Sequence, residues 1–518
     1  MVKDQDIVGD ALAKVLPKHD KPWYRVAHLL ELNLILLVPL LSSATAGYDG
    51  SMMNGLQATS SWKAFFNHPS GTHLGVVNAA QSIGSVAVLP IAWPLSDWLG
   101  RRWTLLIGVI AIIVASIIQA ASVNYGMFTF SRILAGAGSI IVTQPSPILI
   151  SELCYPTHRG KYTSLFWTLY YFGSILASWS TYGTQKHIGD SNWAWRTPSL
   201  LQGAYPLVQL CFFWWVPESP RWLVAKGRHE EARRTLARFH TDGDEEHPLI
   251  EFEMTEISRA IETEKETVGT GWSTLFKTPG NRRRMFIVTF IGAFAQWNGV
   301  SVVSYYLTLV LDTVGIKDSD TQTLINGLLQ IWNFWAAASA AFLVDRLGRR
   351  SLFKWSGIGM LLSFSSWTAC SAVFDIKGDN SAGIAVVAFI FIFFFHYDIC
   401  YTPLLYGYTT EILPYSIRAK GLILEMFAIY GSLIVLAFCN SIALDAIGWK
   451  YYLVFVSILV VGNVVSWLFF PETKGFTLEE VAEIFDGVNV RADAESVLAH
   501  ETASTAEKAP NTEHIAKI

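Results

Sequence analysis

The chain has 518 residues, of which 52% are hydrophobic and only 15% are charged, against about a quarter charged in ordinary soluble proteins. This composition argues against a soluble enzyme of two or three domains, because so many apolar residues must be kept away from water. The net charge of −4 shows no basic excess that would suggest nucleic acid as a partner. The five cysteines lie mostly within apolar runs and predict neither a disulfide framework nor a metal site, and we expect no cofactor.

In chain order, a polar segment at 1–27 precedes twelve apolar runs, each long enough to cross a bilayer as a helix of about 20 residues. We call these runs spans 1 to 12 and predict them at 28–50, 74–96, 103–122, 126–150, 161–182, 199–216, 285–311, 323–344, 352–374, 383–407, 421–444 and 450–470. They divide into an N-terminal six-helix bundle at 28–216 and a C-terminal six-helix bundle at 285–470. The linker at 217–284 has sparse apolar residues, which predict short amphipathic helices.

The basic residues indicate which side of the membrane each end of the spans faces. Lys and Arg are concentrated in the N-terminal segment, in the linker and in the loops after spans 2, 4, 8 and 10. By the positive-inside rule, both termini and the linker are predicted to be cytoplasmic. The tail at 471–518 becomes polar, and we expect it to be largely disordered after about residue 486.

Three motifs occur once in each half of the chain, in the same order and at nearly constant offset. They are Asp97-x-x-Gly100-Arg101-Arg102 with Asp345-x-x-Gly348-Arg349-Arg350, Glu152 and Arg159 with Glu411 and Arg418, and Pro217-Glu218-Ser219-Pro220-Arg221 with Pro471-Glu472-Thr473-Lys474-Gly475. The coincidence indicates that a unit of six spans has been duplicated. Duplicated bundles with a binding site at their interface are typical of secondary transporters.

This ordered set of motifs resembles the signature of the sugar porter family of the major facilitator superfamily, over about residues 40–480. The stretch Gly47-Tyr48-Asp49-Gly50 and the run Thr410-Glu411-Ile412-Leu413-Pro414 are most similar to fungal lactose-permease-like and hexose transporters. The resemblance implies an all-α membrane protein with 12 transmembrane helices in two six-helix bundles. It also implies alternating access by rocking of the two bundles.

Charged residues cluster at the predicted cytoplasmic ends of the spans. We predict a cytoplasmic charge network that could hold the bundles together when the site faces outward, made of Arg101, Arg102, Glu152, Arg159, Glu218, Arg221, Arg349, Arg350, Glu411, Arg418 and Glu472. The planar fork of arginine suits carboxylate pairing. The alternative is that these arginines only enforce topology.

Asp49 and Arg132 lie within predicted spans and are the best candidates for proton coupling. Charged groups at membrane depth are costly, and they usually face the bundle interior and pair with one another. The resemblance adds that a carboxylate after Gly-Tyr in span 1 is associated with proton-coupled members of the family. The alternative is a static structural pair.

Span 7 carries amides and aromatic rings suited to sugar hydroxyls and pyranose faces. We predict Gln296, Asn298 and Ser301 as substrate-binding residues and Tyr305 and Tyr306 as an extracellular gate. The family pattern resembles Gln-Gln-x-x-Gly-x-Asn at this place. This chain has Ala295 at the first Gln position and Ser301 at the Asn position, so the sugar contacts of the family cannot be copied wholesale.

Further substrate-binding candidates come from matching positions in other spans. Asn333 in span 8 matches a sugar-binding Asn of the family, and Trp167, Tyr406 and Tyr430 fall where many members have Gln, Trp and Trp. For the three aromatic residues, packing is the alternative role. Asp398 falls at a family position usually held by Glu, which implies a role in conformational change or in supporting the residues that contact the substrate. Glu425 and His396 match no motif and leave open a second proton site, with structural pairing as the alternative.

These features together predict a secondary active sugar transporter, with sugar:proton symport into the cell across the plasma membrane. The expected partners are a small-molecule sugar, protons and the lipid bilayer, without an obligate protein partner. Alternatives are a facilitative uniporter or a transporter of a polyol, a quinate-like acid or another metabolite. A non-transporting membrane sugar sensor is a further alternative. No enzymatic activity is expected, because no Walker sequence is present and the Gly-Arg-Arg loops lack the spacing of a phosphate cradle.

Overall fold

The computed structural model describes residues 10–17, 22–267, 271–474, 476 and 478–486. Within these residues, every regular element is a helix. The predicted disorder after residue 486 and the first residues of the N-terminal segment fall outside the described residues. Short helices at Asp10–Val15 and Trp23–Arg25 precede the first span.

The N-terminal half contains six spans, two of which are built from two helices. Span 1 is Ala27–Ala58, span 2 is Gly71–Leu99, span 3 is Arg101–Ala120, span 4 is Tyr125–Thr143 with Pro145–Leu153, span 5 is Arg159–Ile188, and span 6 is Trp193–Leu201 with Ala204–Phe212. Short helices also lie at Ser60–Phe65, Pro156–His158 and Phe213–Trp215. Span 4 breaks at Gln144 because Pro145 cannot continue the hydrogen-bond ladder of the preceding helix.

The C-terminal half also contains six spans, of which span 7 is built from two helices. Span 7 is Pro279–Trp297 with Val300–Thr313, span 8 is Ser319–Leu347, span 9 is Arg349–Lys377, span 10 is Asn380–Ile412, span 11 is Tyr415–Ile447, and span 12 is Tyr452–Phe469 after the turn Gly448–Tyr451. Several of these helices begin at side chains that cap free backbone N–H groups. Thr278 accepts a hydrogen bond from the Asn281 amide before span 7, and Asp379 accepts one from the Ser381 amide before span 10.

Judged by length and composition alone, eight segments of the described chain could cross a membrane. One of them, Ile417–Phe469, contains both span 11 and span 12. Spans 5, 6 and 8 fall outside this set, span 6 because each of its two helices has only 9 residues.

The linker between the halves forms helices at Pro220–Ala225, His229–His240, Pro248–Thr267 and Thr274–Lys277. Three of these helices share a small apolar core that includes Leu223, Leu236, Ile250, Met254 and Ile261. We call the end of the spans that carries this linker the linker end, and the opposite end the far end. A last helix, Leu478–Asp486, also lies at the linker end, where Asp486 pairs with Arg284 of span 7 at 2.7 Å.

The buried His240 fastens the linker to the N-terminal half. Its Nδ1 lies 2.8 Å from Oε2 of Glu253, and its Nε2 lies 3.2 Å from the carbonyl oxygen of Leu153 at the end of span 4. Burial alone would lower the pKa of His240, but the charge of Glu253 and the hydrogen bonds to Glu253 and Leu153 outweigh it and raise the pKa. The cationic imidazole is therefore favoured at this contact.

The spans of the N-terminal half pack closely at glycines. A Cβ atom at Gly47 of span 1 would collide with the backbone carbonyl of Tyr170 in span 5, and one at Gly136 of span 4 would collide with that of Gln81 in span 2. Small residues at such crossings let helix backbones approach each other within a membrane. The two halves meet mainly where span 2 packs against span 11, span 5 against span 8, and span 1 against span 7.

Candidate functional site

Asp49 and Arg132 form a buried ion pair inside the N-terminal half. Asp49 lies in span 1 and Arg132 in span 4, and the guanidinium donates to Oδ1 of the carboxylate at 2.7 Å. The exposed fractions of the two residues are 0% and 1%. A charge so completely removed from water is tolerated only where partners satisfy it. The geometry brings together the two residues that the sequence singled out, while their role in coupling remains a prediction.

Polar side chains from three spans complete the shell around the carboxylate. Gln202 donates to Oδ1 of Asp49 at 2.8 Å, and Ser139 donates to Oδ2 at 3.3 Å. Gln81 donates to the same Oδ2, and its own carbonyl oxygen accepts from Arg132 at 2.5 Å. Sequence reasoning missed Gln81 and Gln202, although an amide inside an apolar run is a recognisable signal of the same kind as a charge.

At the far end, Asn54 of span 1 replaces backbone hydrogen bonds of span 7. The helix is kinked at Tyr306, which has a non-helical φ of −138° and ψ of 28°. The Asn54 amide nitrogen donates to the carbonyl of Val303 at 2.9 Å and to that of Ser304 at 2.7 Å. Its oxygen accepts from the Leu307 amide at 3.2 Å. One side chain of the N-terminal half thus forms hydrogen bonds with backbone groups at the kink in span 7 of the other half.

The predicted gate residues Tyr305 and Tyr306 both lie at this kink. The hydroxyl of Tyr306 donates to the carbonyl of Ala437 in span 11. The carbonyl of Tyr305 accepts a hydrogen bond from Gln57 of span 1 at 3.0 Å. Both halves are therefore joined at the far end through the backbone around Tyr305 and Tyr306.

The three predicted substrate-binding residues of span 7 lie at its break. Gly299 has a φ of +103°, a conformation that suits glycine, and it separates the two helices of the span. The Asn298 oxygen accepts from the Val300 amide at 3.0 Å, and its buried amide nitrogen has no partner among the described residues. Ser301 donates to the Gln296 carbonyl at 3.2 Å.

A cavity of about 10 Å³ lies next to this break. Its walls come from spans 2, 7 and 11, and the lining residues are Asn78, Ser82, Ser301, Tyr305, Tyr306, Leu433, Ala437 and Asn440. This volume is close to the minimum for one water molecule, so the space between spans 2, 7 and 11 is closed at this place.

Asn333 belongs to a polar cluster that also contains Asp398. With its amide turned so that the nitrogen faces acceptors, Asn333 donates to the Leu329 carbonyl at 3.1 Å and to Oδ2 of Asp398 at 3.3 Å. Oδ1 of Asp398 accepts from the Tyr171 hydroxyl at 2.6 Å and from the Thr402 hydroxyl at 3.1 Å. Tyr171 is in span 5, so this cluster crosses between the halves. The sequence did not single out Tyr171, because a tyrosine in an apolar span is most simply a packing residue.

The predicted aromatic candidates also lie between the halves. Trp167 of span 5 and Tyr406 of span 10 stack with ring centroids 4.6 Å apart and an interplanar angle of 19°. Tyr430 of span 11 packs against a cluster that contains Leu89 of span 2 and Ile140 of span 4. All three rings take part in packing here, and their role in substrate binding stays a prediction.

Glu425 and His396 lie in different surroundings. Glu425 is fully buried, its Oε1 accepts from the Thr409 hydroxyl at 3.0 Å, and its Oε2 has no partner among the described residues. His396 lies 2.8 Å from the Ile392 carbonyl and packs edge-on against Trp355. A second proton site at Glu425 or His396 stays a prediction.

At the linker end, the duplicated motifs form matching helix caps. Glu218 accepts from the backbone amides of Arg101 and Arg102, at 2.9 and 3.2 Å, where span 3 begins. Glu472 accepts from the amides of Arg349 and Arg350, at 2.8 and 3.1 Å, where span 9 begins. A carboxylate at a helix N-terminus satisfies free N–H groups and complements the helix dipole.

The neighbouring ion pairs repeat in the same way. Arg101 lies 3.5 Å from Glu152, and Arg349 lies 2.9 Å from Glu411. Ser219 and Thr473 donate to these two glutamates at 2.5 Å. Each of these contacts joins residues of one half. Locking of the two halves to each other by the network, in an outward-facing state, stays a prediction.

Other members of the predicted network make backbone contacts or lie at helix ends. Arg102 donates to the Trp214 carbonyl at 3.5 Å, and Arg350 donates to the Trp467 carbonyl at 3.0 Å. Arg418 donates to the Leu413 carbonyl at 3.1 Å. Arg159 is exposed at the start of span 5, and Arg221 lies in the first turn of the linker helix Pro220–Ala225.

Comparisons with known proteins agree with this architecture. A family model described as sugar (and other) transporter matches residues 35–485. The low-affinity glucose transporter HXT1 of Saccharomyces cerevisiae is 28% identical over 476 residues, covering 88% of this chain and 81% of the yeast protein. Hexose transporter 2 of Kluyveromyces lactis is 28% identical over 512 residues, covering 94% of this chain and 87% of that protein.

Solved structures show the same fold. The xylose transporter XylE from E. coli in an inward-open conformation has a TM-score of 0.72 at 23% identity, covering 88% of this chain and 100% of that chain. The proton:xylose symporter XylE bound to 6-bromo-6-deoxy-D-glucose has a TM-score of 0.70 at 24% identity, covering 88% and 99%. The predicted fold class, twelve transmembrane helices in two six-helix bundles with a helical linker, is confirmed.

Proposed function

Because this chain belongs to the sugar porter family of the major facilitator superfamily, we propose that it carries a sugar into the cell together with a proton. It is a membrane-embedded transporter of that family and not an enzyme. The yeast relatives are named glucose and hexose transporters, and one structural neighbour is named a proton:xylose symporter. Hexoses and pentoses are therefore the first substrates to test.

The observation that carries proton coupling is the buried Asp49–Arg132 pair. While the carboxylate is ionised, it holds Arg132 of span 4, Gln202 of span 6 and Gln81 of span 2 against span 1. Protonation of Asp49 removes the charge that attracts the guanidinium and converts one acceptor oxygen into a donor. The four spans are then less tightly held, so that proton binding can bias the conformation of the N-terminal half.

The sugar is proposed to bind between the halves, mainly to residues of the C-terminal half. Gln296, Asn298 and Asn333 supply amide donors and acceptors for its hydroxyls, and Tyr406 supplies an aromatic face. Alternating access then follows from parting the contacts at one end while those at the other end hold. Tyr305 and Tyr306 close the far end, which we propose to be extracellular.

We propose that the protein works in the plasma membrane with both termini and the linker in the cytoplasm. The proposal follows from the distribution of Lys and Arg, which favours the linker end for the cytoplasmic side. A sugar and protons are the expected partners.

Uptake of labelled glucose and xylose by a transport-deficient host, with and without a protonophore, tests the proposal. We expect accumulation that the protonophore abolishes. Asp49→Asn should lose accumulation driven by a pH gradient but retain equilibrium exchange, because the amide keeps the size of the carboxyl group but takes up no proton. Asp375→Asn is a matched control, since Asp375 is exposed at the far end of span 9. If Asp49→Asn accumulated sugar like the wild type, the coupling role would be wrong.

A second candidate is facilitated transport of a polyol, a quinate-like acid or another metabolite. The stacking of Trp167 on Tyr406 favours it, because this pair occupies the space between spans 5 and 10 where family members with Gln at position 167 would present an amide. Failure of every labelled sugar to enter, together with entry of a labelled polyol or acid, would favour this candidate over sugar uptake.

A further inference from the structure

Span 5 presents one face to the C-terminal half through three residues at different depths. Trp167, Tyr171 and Ser178 are separated by four and seven residues, a spacing that places them on the same side of a helix. Ser178 accepts from the Asn326 amide of span 8 at 3.0 Å, toward the far end. Trp167 stacks on Tyr406 toward the linker end. Tyr171 lies between these two contacts.

The Tyr171 contact differs from its neighbours because it places a hydroxyl on a buried carboxylate. The hydroxyl is 2.6 Å from Oδ1 of Asp398 and 2.9 Å from Oγ1 of Thr402. The exposed fractions of Tyr171 and Asp398 are 7% and 1%. A buried polar group left without its hydrogen-bond partner costs free energy, so this bond favours close contact between the two halves. The N-terminal half thus supplies a principal donor to a carboxylate of the C-terminal half.

The same carboxylate also holds the predicted sugar ligand Asn333. Oδ1 of Asp398 takes the hydroxyl of Tyr171, and Oδ2 takes the amide of Asn333. A sugar hydroxyl that accepts a hydrogen bond from the Asn333 amide therefore competes with Asp398 for that N–H group. The contact between the halves and the substrate-binding amide share one side chain.

We propose that Tyr171 and Asp398 form a latch between the two halves, and that Asp398 connects the latch to substrate binding at Asn333. Only the connection to substrate binding at Asn333 rests on the proposed transport function. Tyr171 is a positioning residue, which acts through Asp398 on the approach of spans 5 and 10. Separation of these spans breaks the bond and exposes the carboxylate to the central cavity. Substrate binding changes the strength of the latch because Asn333 is one of the donors that hold Asp398.

The first test measures the closure of the linker end without any substrate. Spin labels are attached to Lys161→Cys and Arg346→Cys, two exposed positions at the linker ends of spans 5 and 8, after the native cysteines are replaced. Distances between the labels are measured by electron paramagnetic resonance in nanodiscs. We expect Tyr171→Phe to lower the ratio of the population at the short distance to that at the long distance about fivefold, as loss of one hydrogen bond implies. Tyr182→Phe, the same change near the far end of span 5, should leave the distances as they are.

The second test asks whether Tyr171 acts through Asp398. Asp398→Asn keeps an acceptor oxygen for the tyrosine and should shift the distances less than Tyr171→Phe. The double variant should equal Tyr171→Phe rather than combine the two shifts. In sugar uptake, Tyr171→Phe should change kcat more than KM.

Unchanged distances in Tyr171→Phe, or additive shifts in the double variant, would overturn the latch. Because the distances are recorded without sugar, they remain informative if no labelled sugar is transported. That result would remove the sugar uptake proposal and leave the latch standing as a contact between the halves.

Discussion

Replacing Asn54 by alanine should open the far end of the protein. Asn54 makes three hydrogen bonds to the backbone of span 7, at 2.7, 2.9 and 3.2 Å. Alanine makes none of them, and it leaves the Leu307 amide and two carbonyls buried without these partners. When the spans separate, the same groups can bind water. The substitution therefore destabilises the closed arrangement and leaves the open one nearly unaffected.

The size of the effect follows from the number of bonds. Each intramolecular hydrogen bond contributes roughly 1 kcal/mol net, so three of them contribute about 3 kcal/mol to the closed state. Since 1.4 kcal/mol is a factor of ten, the ratio of open to closed protein should rise roughly 100-fold. Asn326→Ala is a graded control, because Asn326 makes a single bond of 3.0 Å between the halves. Its expected shift is about fivefold.

Thiol labelling measures this opening. Ser82 lines the small cavity beside span 7 and is 8% exposed. A cysteine at this position should become accessible when the far end opens. In a background without the native cysteines, a membrane-impermeant maleimide should label this position much faster in Asn54→Ala than in the parent. Equal labelling rates, or an Asn326→Ala effect as large as that of Asn54→Ala, would refute the reasoning.

Two further predictions concern stability, one at two glycines and one at His240. Gly100→Ala should lower the melting temperature in detergent, because φ is +99° and a Cβ would collide with the Glu218 cap, at a cost of about 1–3 kcal/mol. Gly183→Ala, in the open surroundings of a helix, should raise the melting temperature by stabilising the helix by about 0.5–1 kcal/mol, and a fall there would contradict this account. The pKa of His240 is raised in the folded protein, so its ion pair with Glu253 should stabilise the folded state fully below about pH 6.5. That contribution should be lost as pH rises through the folded-state pKa, so the difference in melting temperature between wild type and His240→Gln should shrink at alkaline pH. A pH-independent difference would contradict it.

The apolar runs were sufficient to locate the spans, because a membrane requires long stretches of apolar side chains whatever their tertiary contacts. The ends of the helices were less predictable. Span 6 begins at Trp193 rather than near residue 199, since Trp195 is buried in an aromatic cluster with Phe65 and Phe128 although Arg196 interrupts the apolar run. Tertiary contacts of this kind extend a helix beyond what hydropathy alone indicates.

The candidate site was only partly predictable for a related reason. Asp49 and Arg132 could be paired in advance because ionised groups inside spans are rare and need each other. Tyr171 could not be connected with Asp398, because nothing in a tyrosine within an apolar run distinguishes a packed ring from a hydrogen-bond donor. The contact depends on the distance between spans 5 and 10, which are 227 residues apart at this point.

The hydrogen-bond partners of Asp49 described above all belong to the N-terminal half, whereas the proposed sugar ligands belong mainly to the other half. A proton and a sugar bound in this way communicate through the surface between the halves. Thermodynamic linkage then imposes reciprocity: the factor by which protonation changes sugar affinity equals the factor by which bound sugar changes proton affinity. Adding sugar to weakly buffered purified protein should therefore move protons to or from the solution, even when no membrane separates two compartments.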